Sequence, residues 1–271
     1  MKRIVLIALT LVLALSACAS LAEISITRKD LAINKNLDKN VTNVLILLQD
    51  GGASDTIMLA GINSKTGRAV MTRLDGEMIV PVVNGGMEAP LKDVYSMGDK
   101  KSKGLLAAAT VNQLLSLNIN TYVALDISVL PELVDVIGTL NMQFDVEEAA
   151  ALGTWEGINE LNGEHILSYV RLRLDSDSPA RSRGYDALMQ LLYQGLHSGN
   201  LSDMMGLGTS LLKSMDTNLN ALNAVTLVSA VQAGSDRREL LLPAAEHIVT
   251  NDPLTADAEG MRALLHANLY E

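Results

Sequence analysis

The chain has 271 residues, 48% of them hydrophobic, with 31 acidic against 21 basic side chains and a formal charge of −10. That length supports one sizeable core, and the negative balance argues against nonspecific nucleic-acid binding. A single cysteine excludes an internal disulfide framework, and one Phe with one Trp leave Leu, Val, Ile, Ala and Met to build the core.

At the N-terminus, Lys2 and Arg3 precede an apolar run from Ile4 to Leu15, too short to span a bilayer comfortably. Leu15-Ser16-Ala17-Cys18 then has the form of a bacterial lipobox. Residues 1–17 are read as a lipoprotein signal peptide and Cys18 as the lipidated first residue. The mature domain is then expected on the extracytoplasmic face of a bacterial membrane, lipid-anchored. Residues 18–41 are polar and mixed and read as a tether to the membrane surface, and the folded domain as 42–271.

Short apolar runs bounded by turn residues predict strands at Asn43–Gln49, Thr56–Ile62, Arg68–Leu74 and Glu77–Pro81. Helical spacing begins at Lys103–Ser116. A strand is expected at Tyr122–Ile127 and a helix at Ser128–Ile137, with a serine cap, proline in its first turn and Gly138 as its stop. Another strand is expected at Asn141–Val146. After a helix-like run at His165–Val170, helices are expected near 185–198, 200–215, 219–232 and 257–270, with a short strand at Arg237–Leu242. Strands and helices share one core, so the fold is expected to be α/β (α+β mixed) in three layers.

Leu161–Leu188 is the densest polar stretch. Arg171, Arg173, Arg181 and Arg183 gather there around Asp177, between two apolar helical patterns. In a chain this acidic, a local cationic knot beside carboxylates points to an anion, with a metal ion as its companion.

Ser54-Asp-Thr-Ile-Met-Leu59, Arg73-Leu-Asp75, Val94-Tyr-Ser-Met-Gly98, Asn120–Asp126, Leu133–Gly138 and Leu161–Arg173 follow one another in an order that resembles the LytR-CpsA-Psr family. Leu161-Asn-Gly-Glu-His-Ile-Leu-Ser-Tyr-Val-Arg-Leu-Arg173 is the nearest match. The resemblance implies a central, mostly mixed sheet flanked by helices, with an apolar pocket for a polyprenyl chain. It further implies a phosphotransferase that moves glycopolymers from a polyprenyl pyrophosphate carrier onto peptidoglycan with Mg²⁺. Export and the negative charge together lead to the expectation of no nucleic-acid partner.

Carried over residue by residue, the resemblance makes Asp50 and Asp55 the metal-associated aspartates. Asp75 matches the aspartate of an Arg-Asp motif. Arg171 and Arg173 keep a paired pattern, Asp177 matches a further aspartate and Arg183 keeps an arginine. Asp75, Arg171, Arg173 and Asp177 are the catalytic candidates; Arg171, Arg173 and Arg183 are the phosphate ligands. If the chain is extended at 171–173, the two arginines share a face and fork onto one phosphate. Ala53, Leu74 and Ala180 replace expected arginines and Gly184 replaces a glutamine. Arg73 and Arg181 stand one position from two of these vacancies and are added as off-register phosphate candidates. The depletion supports a second reading, a relative that binds polyprenyl-linked glycan or a wall-assembly partner without turnover. His165, His197, His247 and His266 are scattered without metal spacing and read as surface or incidental residues. No nucleotide loop and no Ser-His-Asp pattern is present.

Overall fold

The computed structural model describes residues 23–174, 178–197, 215–219 and 236–271. Cys18, Asp177 and the N-terminal apolar run lie outside them, as do nearly all of the two helices expected at 200–215 and 219–232. Among the described residues no helix is long and apolar enough to cross a membrane.

Six strands form the central sheet: β1 (Val41–Asp50), β2 (Ala53–Asn63), β3 (Arg68–Leu74), β6 (Thr121–Asp126), β9 (Met215–Thr217) and β10 (Asp236–Leu242), in the order β10-β3-β2-β1-β6-β9. β1 is antiparallel to β2 and β2 to β3, whereas β6 lies parallel to β1 and β10 parallel to β3. The sheet is therefore mixed, as expected. Smaller two-stranded pairs are β4 (Ile79–Pro81) with β5 (Glu88–Pro90), β7 (Leu140–Phe144) with β8 (Gly157–Leu161), and β11 (Ile248–Asn251) with β12 (Leu254–Ala256). The expected strand at Glu77–Pro81 is thus outside the central sheet. The one at Asn141–Val146 ends at Phe144, because Asp145 caps a helix and Glu148 returns to the cap N–H.

The described helices are α1 (Leu91–Met97), α2 (Lys103–Leu115), α3 (Leu130–Ile137), α4 (Val146–Leu152), α5 (Gly163–Leu174), α6 (Ser178–His197) and α7 (Ala258–Tyr270). They cover both faces of the sheet. Strand residues alternate between two buried clusters, because successive side chains point to opposite faces. Leu45 and Leu47 of β1 meet Ile57 and Leu59 of β2 on the face of α1, α2 and α7. Leu48 and Met58 face the layer of α3, α5 and α6. A central strand buried on both faces reads as a continuous apolar run, which is what Val-Leu-Ile-Leu-Leu at 44–48 is.

α7 presents Met261, Leu265 and Leu269 at helical spacing, exposed by no more than 1%, and each such side chain contributes about 1.5–3 kcal/mol of burial. The tether expected over 18–41 needs correction from residue 23 onward. Ile26 and Leu31 are buried in the first cluster, and Ile24 bridges to Gly98. That stretch packs on the domain because its isolated apolar residues find the surface of α1 and α2.

Candidate functional site

β1, β3, β6 and β10 run in the same direction, so their carboxyl ends share one edge of the sheet. Open α/β sheets place ligands outside such strand ends. β1 ends at Asp50 and β6 at Asp126, and Asp75 directly follows Leu74, the last residue of β3. Gly51 (φ +63°) and Gly52 (φ +103°) link β1 to β2 in a two-residue turn that glycine makes without strain. The turn sets Asp50 opposite Ala53, so the loop between the two family aspartates is a minimal hairpin. Behind it, Gln49 Nε2 donates to Ser54 Oγ at 2.5 Å.

α5 crosses this edge. Its first residue, Gly163, lies so close to α3 that a side-chain Cβ would stand 2.4 Å from Pro131 Cα. That contact sets the helix on which Arg171 reaches the strand ends. Arg171 Nε donates to Asp50 Oδ2 at 2.9 Å and its Nη2 to Asp50 Oδ1 at 3.2 Å. Asp126, opposite Gln49 across β1 and β6, adjoins the pair. Hydrogen bonds from Ser128 and, to a smaller extent, the Arg171 charge hold the Asp126 carboxyl below the usual carboxylate range. Sequence reasoning quoted Asp126 inside a motif and gave it no role.

The helix runs to Leu174, so Arg171 and Arg173 are not on an extended segment. Two helical positions apart is a rotation of about 200°, and the shared-face fork expected for them is corrected on that ground. The side chains of Arg173, Arg181 and Asp55 lie outside the described residues. Asp75 is described: its Oδ1 accepts from Glu77 N at 2.9 Å and its N–H donates to Leu242 O at 2.8 Å, which fixes the turn after β3.

Arg183 is placed away from Asp50. Its Nε donates to Glu148 Oε1 at 2.7 Å, its Nη2 to Glu148 Oε2 at 2.8 Å and also to the Gln143 carbonyl. Glu148 is fully buried, caps α4 and accepts from Tyr169 Oη at 2.8 Å. Tyr169 stacks on Phe144 with ring centroids 5.1 Å apart. Arg183 thus neutralises a buried carboxylate beneath β7, beside a cavity of about 310 Å³ lined by Asn141, Gln143, Asp186 and Gln190. The Asp145-Val-Glu-Glu148 capping pattern was the available signal for Glu148, and it was hidden by extending the preceding strand to Val146.

Arg73 and Leu74 point to opposite sides of β3. Leu74 is 2% exposed in the first cluster, while the Arg73 guanidinium lies 5.3 Å from the ring centre of Tyr185 on α6. The off-register arginine therefore faces the same helical layer as Arg171. His266, expected to be incidental, has Nε2 3.0 Å from the Leu115 carbonyl at the end of α2.

Among the described residues no three His, Cys, Asp or Glu side chains gather closely enough to hold a metal ion. Mg²⁺ in phosphoryl-transfer sites commonly takes one or two carboxylates plus phosphate oxygens. Asp50 offers one such carboxylate, both of whose oxygens accept from Arg171 in the structure.

A mixed sheet between two helical layers, with an arginine and aspartates at its carboxyl edge, defines an α/β protein with an anion-competent site. The chain belongs to the LytR_cpsA_psr family, whose model matches residues 10–253. Biofilm regulatory protein A of Streptococcus mutans is 27% identical over 232 residues, 74% of this chain and 56% of that protein. A polyisoprenyl-teichoic acid–peptidoglycan teichoic acid transferase TagU from Bacillus mycoides is 23% identical over 175 residues, 63% of this chain and 56% of its own. The chain spans little more than half the length of these curated relatives. The crystal structure of B. subtilis TagT matches with a TM-score of 0.68 at 17% identity, covering 91% of this chain and 99% of that one, a likeness of fold.

Proposed function

We propose that the chain transfers a glycopolymer from a polyprenyl pyrophosphate carrier to peptidoglycan in the cell envelope, held at the extracytoplasmic membrane face by a lipid on Cys18. The observation that carries this reading is the two-point Arg171–Asp50 pair at the carboxyl ends of the sheet. It sets a forked cation and a carboxylate side by side in motifs of a family whose relatives include TagU, named for teichoic acid transfer to peptidoglycan. An apolar pocket for the polyprenyl chain belongs to the same reading.

The acceptor hydroxyl oxygen bonds to the sugar-linked phosphorus as its proton passes to solvent, the bridging P–O bond breaks, and polyprenyl phosphate leaves. Arg171 moves from Asp50 to the phosphate oxygens, and Arg173, about 200° further round the same helix, serves as a second cation away from that contact rather than as a shared fork. Asp50 and Asp55 would hold Mg²⁺, which would supply positive charge to offset that on the departing phosphate. Asp75 and Asp177 orient the cations.

A binding-only relative remains the second reading. Ala53, Leu74 and Ala180 supply no guanidinium, and Arg183 is engaged with Glu148. A lost charged contact in a desolvated site costs about 2–5 kcal/mol. The test incubates the purified full chain in detergent with a polyprenyl-pyrophosphate-linked glycan, peptidoglycan and Mg²⁺. Covalent glycan on peptidoglycan with release of polyprenyl phosphate is expected. Binding of the carrier without product supports the second reading, and no binding contradicts both.

A further inference from the structure

α6 lays two tyrosines, Tyr185 and Tyr193, over the β3–β10 half of the sheet. Each faces an arginine: Arg73 over Tyr185 at 5.3 Å, and Arg237 over Tyr193 at 5.5 Å. The two hydroxyls differ. Tyr193 Oη donates to Glu239 Oε1 at 3.3 Å. Tyr185 is only 7% exposed, and among the described residues its Oη has no hydrogen-bond partner. A buried hydroxyl without a partner is uncommon in native structures and calls for a reason, because the group has lost water and gained nothing in return. The surrounding face is not sealed. Leu241 of β10, paired with Arg73 across the parallel ladder, is 48% exposed.

We infer that Tyr185 is a ligand-binding residue, donating its hydroxyl hydrogen to a non-bridging phosphate oxygen of the carrier pyrophosphate beside Arg73. The inference rests on the proposed function for the identity of that ligand. The Arg73 guanidinium against the aryl face supplies the cation that an anionic oxygen would share with the hydroxyl, and that contact has to outweigh the Glu239 and Asp186 charges that also act on Tyr185. Burial first, and the Glu239 charge second, push the Tyr185 hydroxyl well above the ordinary phenol range. It therefore stays protonated and can only serve as donor to an anionic oxygen. No family motif quoted from the sequence includes Tyr185.

The test compares wild type, Tyr185→Phe and Tyr193→Phe, each as the full chain in detergent, by calorimetric titration with farnesyl pyrophosphate and by thermal unfolding. Tyr185→Phe keeps the ring, its packing and the contact with Arg73. The expected result is an affinity about tenfold lower or weaker still, from loss of one hydrogen bond to a charged group, with a melting temperature unchanged or raised. Tyr193→Phe, whose hydroxyl already has a partner, keeps wild-type affinity. Equal affinity in wild type and Tyr185→Phe overturns the inference and leaves the proposed function standing. So does an equal loss in both variants. Absence of binding by wild type overturns the inference together with the reading on which it rests.

Discussion

Arg171 and Asp50 hold each other through two hydrogen bonds, 2.9 and 3.2 Å long, across the carboxyl ends of β1 and β6. Both side chains are partly exposed, 45% and 35%, so the pair contributes only about 0–1 kcal/mol to stability. Such a pair yields readily to a phosphate on one side and a divalent cation on the other. Asp50→Asn is expected to raise the affinity for inorganic pyrophosphate severalfold in the presence of EDTA, because the Asp50 charge no longer competes for Arg171. The same variant is expected to lose any enhancement by Mg²⁺. Calorimetric titration of both proteins, with and without Mg²⁺, checks the two effects. A lower metal-free affinity in Asp50→Asn runs against this account.

Arg183 and Glu148 form the opposite kind of pair. Glu148 is completely buried and Arg183 is 38% exposed at its side chain. Arg183→Ala takes the two-point guanidinium partner from a buried carboxylate that also accepts from Tyr169 and its own cap N–H. Removing one partner of a buried pair costs about 3–5 kcal/mol, and the exposure of Arg183 lowers the expectation to roughly 2–4 kcal/mol. Urea denaturation of Arg183→Ala measures this, and a loss below about 1 kcal/mol contradicts a structural role. Inactivity of that variant is therefore read together with its stability.

Gly104 lies in α2 where an added Cβ would stand 2.0 Å from the Tyr122 ring. Alanine gains about 1 kcal/mol of helix propensity, while overpacking costs about 1–3 kcal/mol. The ring has little freedom to move, because Tyr122 Oη donates to Asp216 Oδ1 at 3.0 Å and shares that carboxylate with Tyr95 at 3.1 Å. Gly104→Ala is expected to lower the melting temperature by a few degrees. A higher melting temperature shows that the site accommodates the methyl group.

Tyr95, Tyr122 and Tyr185 share a consequence for pH. Burial raises all three hydroxyls above the ordinary value of 10, and the charge of Asp216 adds to the first two and that of Glu239 to the third. A raised folded-state pKa gives stability that is full below the unfolded value and is lost as pH rises toward the folded one. Stability is therefore expected to hold up to about pH 10 and to fall steeply above it. Tyr122→Phe is expected to flatten the decline. Denaturant midpoints between pH 8 and pH 12 test the sign, and a midpoint that climbs above pH 10 is the contrary result.

Much of the fold was legible from local pattern. The apolar run at 44–48 marked a strand buried on both faces, and Asp50-Gly51-Gly52 marked its turn. Long-range pairing was not legible. That β10 lies parallel to β3, with Arg68 bonded to Asp236 at 2.7 Å, depends on residues 168 apart in sequence. Arg171 and Asp50 each emerged from motif alone, but their contact did not, because sequence spacing cannot show which helix crosses which strand end. Arg173 was judged on an extended geometry that the helix through Leu174 does not have. The burial of Glu148 and of the Tyr185 hydroxyl was invisible for a further reason. Burial of a polar group is a property of packing, and neither residue type announces it.

The central claim is that Arg171, at the carboxyl edge of the sheet, grips the phosphate of a polyprenyl pyrophosphate. The most direct measurement is titration of farnesyl pyrophosphate into the full chain and into Arg171→Ala, both in detergent with Mg²⁺. The account predicts an affinity at least about tenfold weaker in the variant, the worth of one charge-assisted contact, with little change in melting temperature because the Asp50 pair is partly exposed. Equal affinity for the two proteins contradicts it.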